Sequence, residues 1–219
     1  MKRYLPFFVL CSLGFIGTAR GGDSAEIDDA NTDVWIAHLQ QCTAKIFSLT
    51  GLFSQDFECG GYLKPTVLRG SFEVRRNGSC RLTYTEPQGR ILVSNGTISS
   101  MLHREDRWTS SGPVDTLPGE IAAVLTGRLP ETLQVDFLGG AESPSEGLGV
   151  VRFHPQNHRF IQSVLVTIAP QSPCILRVTV VDTGGCIIRT TLESVRVNTG
   201  VKAKRFQLQS PKNNSVLEP

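Results

Sequence analysis

From residue 53 onward the sequence is a succession of short apolar or alternating segments separated by turn residues, with no regular crossover helix between them. The segments "FSQDF", "TVLRGSFEVRR", "RLTY", "ILV", "TISSMLH", "LQVDF", "VVRFH", "SVLVTI", "ILRVTVV", "IIRTTLESVRV" and "AKRFQL" read as roughly eleven strands. Parallel strands need long crossovers, so this order favours one large antiparallel sheet, strongly curved. In "TVLRGSFEVRR" the two-residue period puts Leu68, Phe72 and Val74 on one face and Arg69, Glu73 and Arg75 on the other. Such a sheet has an apolar face and a wet one.

Two segments break the pattern. Trp35, Leu39, Cys42, Ile46 and Leu49 recur at three-and-four spacing, which predicts a helix over 31–50 with Asn31, Thr32 or Asp33 as its cap, preceded by an acidic arm over 20–30. The second is "DTLPGEIAAVLTGRLP", within 114–130. Pro118 opens it, Ile121, Val124 and Leu125 give it an apolar side, and Gly127 with Pro130 closes it. A short helix of this kind is either structural packing or a movable cover over an apolar site.

The chain opens with "MKRYLPFFVLCSLGFIGTAR": two basic residues, an apolar run, then small residues at Gly17 and Ala19. That is the anatomy of a cleaved export signal over 1–19, leaving a single domain over 31–219. Cys11 is the alternative, as a site of lipid attachment, although bulky Leu10 precedes it. Of the 22 basic residues Lys2 and Arg3 leave with the signal, and the remainder balances the 20 acidic ones. A neutral chain without a basic stripe offers nothing to nucleic acid. Cys42, Cys59, Cys80, Cys174 and Cys186 remain, an odd number without zinc-type spacing. Their pairing stays open, since export permits disulfides and small buried cysteines are equally natural.

The triplet Asp182-Thr183-Gly184 is how the catalytic loop of an aspartic protease begins. It occurs once, between two alternating strands, where Asp and Gly are the residues a hairpin turn requires. His38, His103, His154 and His158 share no spacing, and no nucleophile elbow, zinc motif or phosphate loop is present. The reading is a non-enzyme with no catalytic residue, metal or cofactor.

Several stretches, taken in order, resemble the periplasmic outer-membrane lipoprotein carrier family, LolA. "LTGLFSQDF" is similar to that family's helix end and first strand, with its Phe-x-Gln. "GSFEVRRNGSCRLTYTEPQGRILVSNGT" resembles its longest signature, in which "ILVSNG" differs by one residue from the family's form, and "AKRFQLQSPKNNSVLEP" resembles its closing strand and tail. Asn77 stands where the family has Pro, Leu82 where an aromatic is usual, and "ISSML" where a Trp-rich strand follows.

The resemblance implies an unclosed antiparallel β-barrel of about eleven strands with an α-helical lid. It implies a monomeric periplasmic chaperone that shelters lipoprotein acyl chains between an inner-membrane release complex and an outer-membrane receptor. An envelope-attached sensor or receptor of the same fold is the alternative. The candidate cavity and lid residues are Leu68, Phe72, Val74, Leu82, Tyr84, Ile121, Val124 and Leu125, and Arg76 matches the arginine associated with holding the lid. An acyl chain gains about 0.8 kcal/mol per methylene removed from water, so such a face can hold one with no polar contact.

Overall fold

The computed structural model describes residues 29–59, 66–95, 98–103, 108–113, 124–125, 134–141, 143–155 and 160–207. Helix α1 (Asp29–Thr43) precedes strands β1 (Ser48–Glu58), β2 (Thr66–Arg75), β3 (Cys80–Glu86), β4 (Gln88–Ser94), β5 (Ile98–His103) and β6 (Trp108–Pro113). The second run is β7 (Gln134–Gly140), β8 (Gly149–His154), β9 (Ile161–Ile168), β10 (Ile175–Asp182) and β11 (Ile187–Val197), followed by a 3-10 turn, Ala203–Phe206. All eleven strands form one antiparallel sheet in the order β6-β5-β4-β3-β2-β1-β11-β10-β9-β8-β7. The sheet is not closed, because β6 and β7 lie at opposite edges.

Each half of the sheet is a meander, and the two halves join where the first strand meets the last. β1 pairs with β11 from Leu49↔Val197 to Glu58↔Ile187, with a bulge after Thr50. Ser194 sits in that bulge at φ 49°, a left-handed conformation. β1 pairs with β2 on its other side, so both edges of the junction strand are satisfied.

The alternation expected for β2 holds. Leu68, Phe72 and Val74 are buried, while Arg69 is exposed and Glu73 and Arg75 are half-buried on the other face. Their face is lined further by Phe53, Leu82, Leu92, Val151, Phe153, Val164, Val166, Val178 and Val180. α1 lies across the same face and adds Trp35 and Leu39, both fully buried. A smaller cluster on the opposite, convex face joins Ile91, Val93 and Leu102 to Phe206.

Three expectations need correction. α1 ends at Thr43, whose hydroxyl donates back to Leu39 O at 2.7 Å, and Ile46 N closes a turn on Thr43 O. Leu49 is therefore buried from the strand β1, not from the helix, and Asn31, Thr32 and Asp33 lie inside the helix, which already includes Asp29 and Ala30. "AKRFQL" does not add a strand: β11 already has β1 and β10 on its two edges, and 203–206 form a 3-10 turn whose Phe206 is buried on the convex face. β6, with the sequence "WTSSGP", replaces it in the count. Apart from Val124 and Leu125, which are helical and buried, the 114–130 segment lies outside the described residues, as do Ile121 and residues 1–28, on which the expected signal and most of the expected arm fall.

Candidate functional site

The concave face is built on aromatic rings laid over glycines. A methyl group on Gly51 would sit 2.8 Å from the Phe72 ring, one on Gly70 the same distance from the Phe53 ring, and one on Gly149 only 2.4 Å from Trp35 Cε2. Bare backbone at these points lets each ring lie against the sheet. Phe53 meets Tyr84 edge-on at 5.3 Å, and Trp35 stacks on Phe137 at 6.2 Å.

Of the residues expected to line a cavity, Leu68, Phe72 and Val74 on β2 and Val124 and Leu125 of the cover are buried. Leu82 and Tyr84 on β3 are half-buried and pack against the same core. Leu125 reaches a cavity that it shares with Thr43, Ile46, Leu49, Pro173, Cys174, Ile175, Leu192 and Val195. Its volume is about 10 Å³, room for one water. Around Leu125, among the described residues, the face is thus filled by its own side chains and by the end of α1.

Polar groups are few on this face, and each has a visible physical consequence. Tyr84 donates its hydroxyl to Gln55 Oε1 at 3.3 Å, and Gln55 Nε2 donates to Thr190 Oγ1 at 3.0 Å. Burial pushes the Tyr84 phenol up to about 12, opposed by the positive charge of Arg90. Burial likewise pushes the Cys80 thiol up to about 12.

α1 is fastened along its length to β7–β10. Phe137 N donates to Thr32 Oγ1 (3.0 Å), Trp35 Nε1 donates to Ala141 O (3.2 Å), and His38 Nε2 donates to Ala169 O (2.9 Å). A carbonyl only accepts, so the His38 proton resides on Nε2. Cys42 and Cys174 then form a disulfide that ties the helix end to the β9–β10 connection.

Arg76 follows the end of β2 and is exposed. Its guanidinium donates to Ala44 O just beyond α1, and its backbone N–H donates to Phe47 O. Among the described residues it therefore clamps the α1–β1 connection. The expected partner in the 114–130 cover falls mostly on residues outside the described ones.

Asp182 is a turn residue. Its Oδ1 accepts from Gly184 N and Cys186 N, both at 2.8 Å, its own N–H donates to Cys186 O, and Gly185 takes φ 81°. The carboxylate closes the β10–β11 hairpin instead of facing a second acid. Cys186, which follows this turn, bonds to Cys59 at the end of β1, so four of the five cysteines beyond residue 19 are paired and Cys80 is free and buried. No group of three or more His, Cys, Asp or Glu among the described residues is placed to hold a metal, and no helix among them is long and apolar enough to cross a membrane.

A search of the curated proteins matched nothing. Among solved structures the chain is similar to an uncharacterized conserved protein from Thermus thermophilus, with TM-score 0.51, 10% identity and coverage of 83% of this chain and 95% of that one. It is also similar to a DUF1329 family protein from Desulfovibrio piger, with TM-score 0.51, 9% identity and coverage of 82% and 96%. At such identities the likeness concerns the fold alone. In sequence, residues 44–209 match the family described as outer membrane lipoprotein carrier protein LolA, a span of well over half the chain. That span runs from the end of α1 through all eleven strands and past Phe206, so the chain belongs to the LolA family.

Proposed function

We propose that this protein is a periplasmic carrier that shelters the acyl chains of lipoproteins on its concave apolar face and ferries them from the inner to the outer membrane. The observation that carries the reading is a continuous apolar face spanning both halves of the sheet, covered by α1 and by Val124 and Leu125. Membership of the LolA family supports it. Non-directional burial suits such cargo, because acyl chains offer no hydrogen bonds and differ mainly in length.

The geometry also supports a division of labour. α1 is a fixed wall, held by three hydrogen bonds to β7 and the connections after β7 and β9, and by the Cys42–Cys174 disulfide. Loading therefore lifts the 124–125 cover instead, and opens the small space behind Leu125 into one that accepts a chain. Arg76, Leu68, Phe72, Val74, Leu82, Tyr84, Ile121, Val124 and Leu125 form the wall, cover and clamp of that site. The 1–19 signal delivers the protein to the periplasm, where it works as a monomer between an inner-membrane release complex and an outer-membrane receptor.

The test is competition on the folded protein. A fluorescent apolar probe bound to the purified domain should be displaced by an acylated peptide and retained in the presence of the same peptide without its acyl group. Equal displacement by both peptides contradicts the proposal.

A further inference from the structure

The concave face is apolar along most of its length and polar at one end. Gln55 on β1 is only 3% exposed and lies opposite Leu68, two residues from Phe53. A primary amide has two N–H donors and a carbonyl oxygen. The oxygen accepts from Tyr84, and one N–H is used on Thr190 Oγ1. The second N–H has no partner among the described residues. A buried donor in that condition calls for an acceptor from elsewhere.

Arg90 stands at the same end. On β4, Leu92 pairs with Leu82 and faces the concave core, whereas Ile91 and Val93 belong to the convex cluster. Strand alternation therefore places Arg90 on the concave side, beside Tyr84, where its charge acts on the phenol. Arg90 makes no hydrogen bond or ion pair among the described residues. The unused capacity here is all donor: one amide N–H and the five of a guanidinium. It borders Phe53, Leu68 and the ring of Tyr84, which are apolar.

We infer that Gln55 and Arg90 form a head-group subsite at one end of the acyl-chain face, which binds the carbonyl oxygens of an acyl lipid and prefers a fatty carboxylate to a neutral ester. The inference rests on the carrier reading above and adds direction to it: the chain lies along the apolar face with its oxygen-bearing end at Gln55. A carboxylate fills the amide N–H and neutralises the guanidinium together, whereas an ester carbonyl fills only hydrogen bonds.

The experiment measures displacement of a bound fluorescent apolar probe from the purified protein at pH 8 by myristate and by methyl myristate. The parent protein should be displaced by myristate at a concentration roughly ten- to hundredfold lower, the ratio a charge-assisted hydrogen bond commands. Arg90→Gln should abolish that preference by weakening myristate far more than the methyl ester, and Arg90→Lys should restore part of it. Gln55→Leu should weaken both ligands. Arg90 is half-buried, so its variants fold even where Gln55→Leu does not, which circular dichroism checks. Equal displacement by the two ligands in the parent, or an undiminished preference in Arg90→Gln, overturns the subsite but leaves the carrier reading standing. If neither ligand displaces the probe, the carrier reading fails and the subsite with it.

Discussion

Gly149 has no room for one more carbon, because the indole of Trp35 already occupies the space above it. Gly149→Ala should therefore cost about 1–3 kcal/mol, as overpacked cores do, and Trp35→Ala about 3–5 kcal/mol by leaving a void. In the double variant the clash no longer exists, so urea unfolding should show a total smaller than the sum. A strictly additive result would mean that the ring does not lie where Gly149 admits it. Asp182 is a milder case. Asp182→Asn keeps an oxygen for the two turn N–H groups and should change stability by less than about 1 kcal/mol in the same assay.

Cys80 makes a statement about pH. Its thiol ordinarily titrates at 9.0 and is pushed by burial to about 12, so in the folded protein it is neutral at pH 8 and resists iodoacetamide until the chain unfolds. The sign of the linkage follows. Above pH 9 the unfolded chain loses this proton and the folded one keeps it, so stability is complete below 9 and declines as pH rises toward 12. Tyr84, raised from 10.0 to about 12, acts in the same direction. Denaturation midpoints that fail to drop between pH 8 and 10.5 would contradict both.

Among the elements, those that repeat a simple period are legible from the amino acids themselves. β2 and β8 to β11 show themselves as alternating or β-branched runs, and the inward set Leu68, Phe72 and Val74 follows from a period of two. β6 is hidden because "WTSSGP" has one large apolar residue, and its strand state is imposed by pairing with β5. The end of α1 is masked because Ile46 and Leu49 continue a helical spacing by coincidence while β1 recruits the chain at Ser48. Neither disulfide can be read from spacing. Cys59 meets Cys186 only because the first strand pairs with the last, across 127 residues. The exposed clamp at Arg76 is hidden likewise, since its partner Ala44 is 32 residues away.

The Cys42–Cys174 bridge closes a span of 132 residues and holds α1 on the sheet. Its removal by Cys42→Ser with Cys174→Ser should cost about 2–4 kcal/mol. Hydrogen exchange should then quicken in 36–43 more than in β9 or β10, because the helix loses its strongest tether and the strands keep their ladders. Exchange that accelerates uniformly would show that α1 is not separately fastened.

The described part of the molecule is an open, curved sheet whose first and last strands are its centre, with a large apolar cluster on the face that α1 covers. What the face could hold is legible in composition and alternation. Which side chains pack on it is not, because Trp35, Leu39 and Leu125 are brought together only by the fold. Carriage follows if cargo can take the place of Leu125 while α1 stays fixed. The decisive measurement incubates the purified protein with inner-membrane vesicles that contain a radiolabelled lipoprotein and their release machinery, then separates the soluble fraction. The lipoprotein should leave the vesicles in a one-to-one complex with the protein and pass on to outer-membrane vesicles. A lipoprotein that stays with the donor membrane at saturating protein, while an unacylated form of it behaves no differently, would contradict the account.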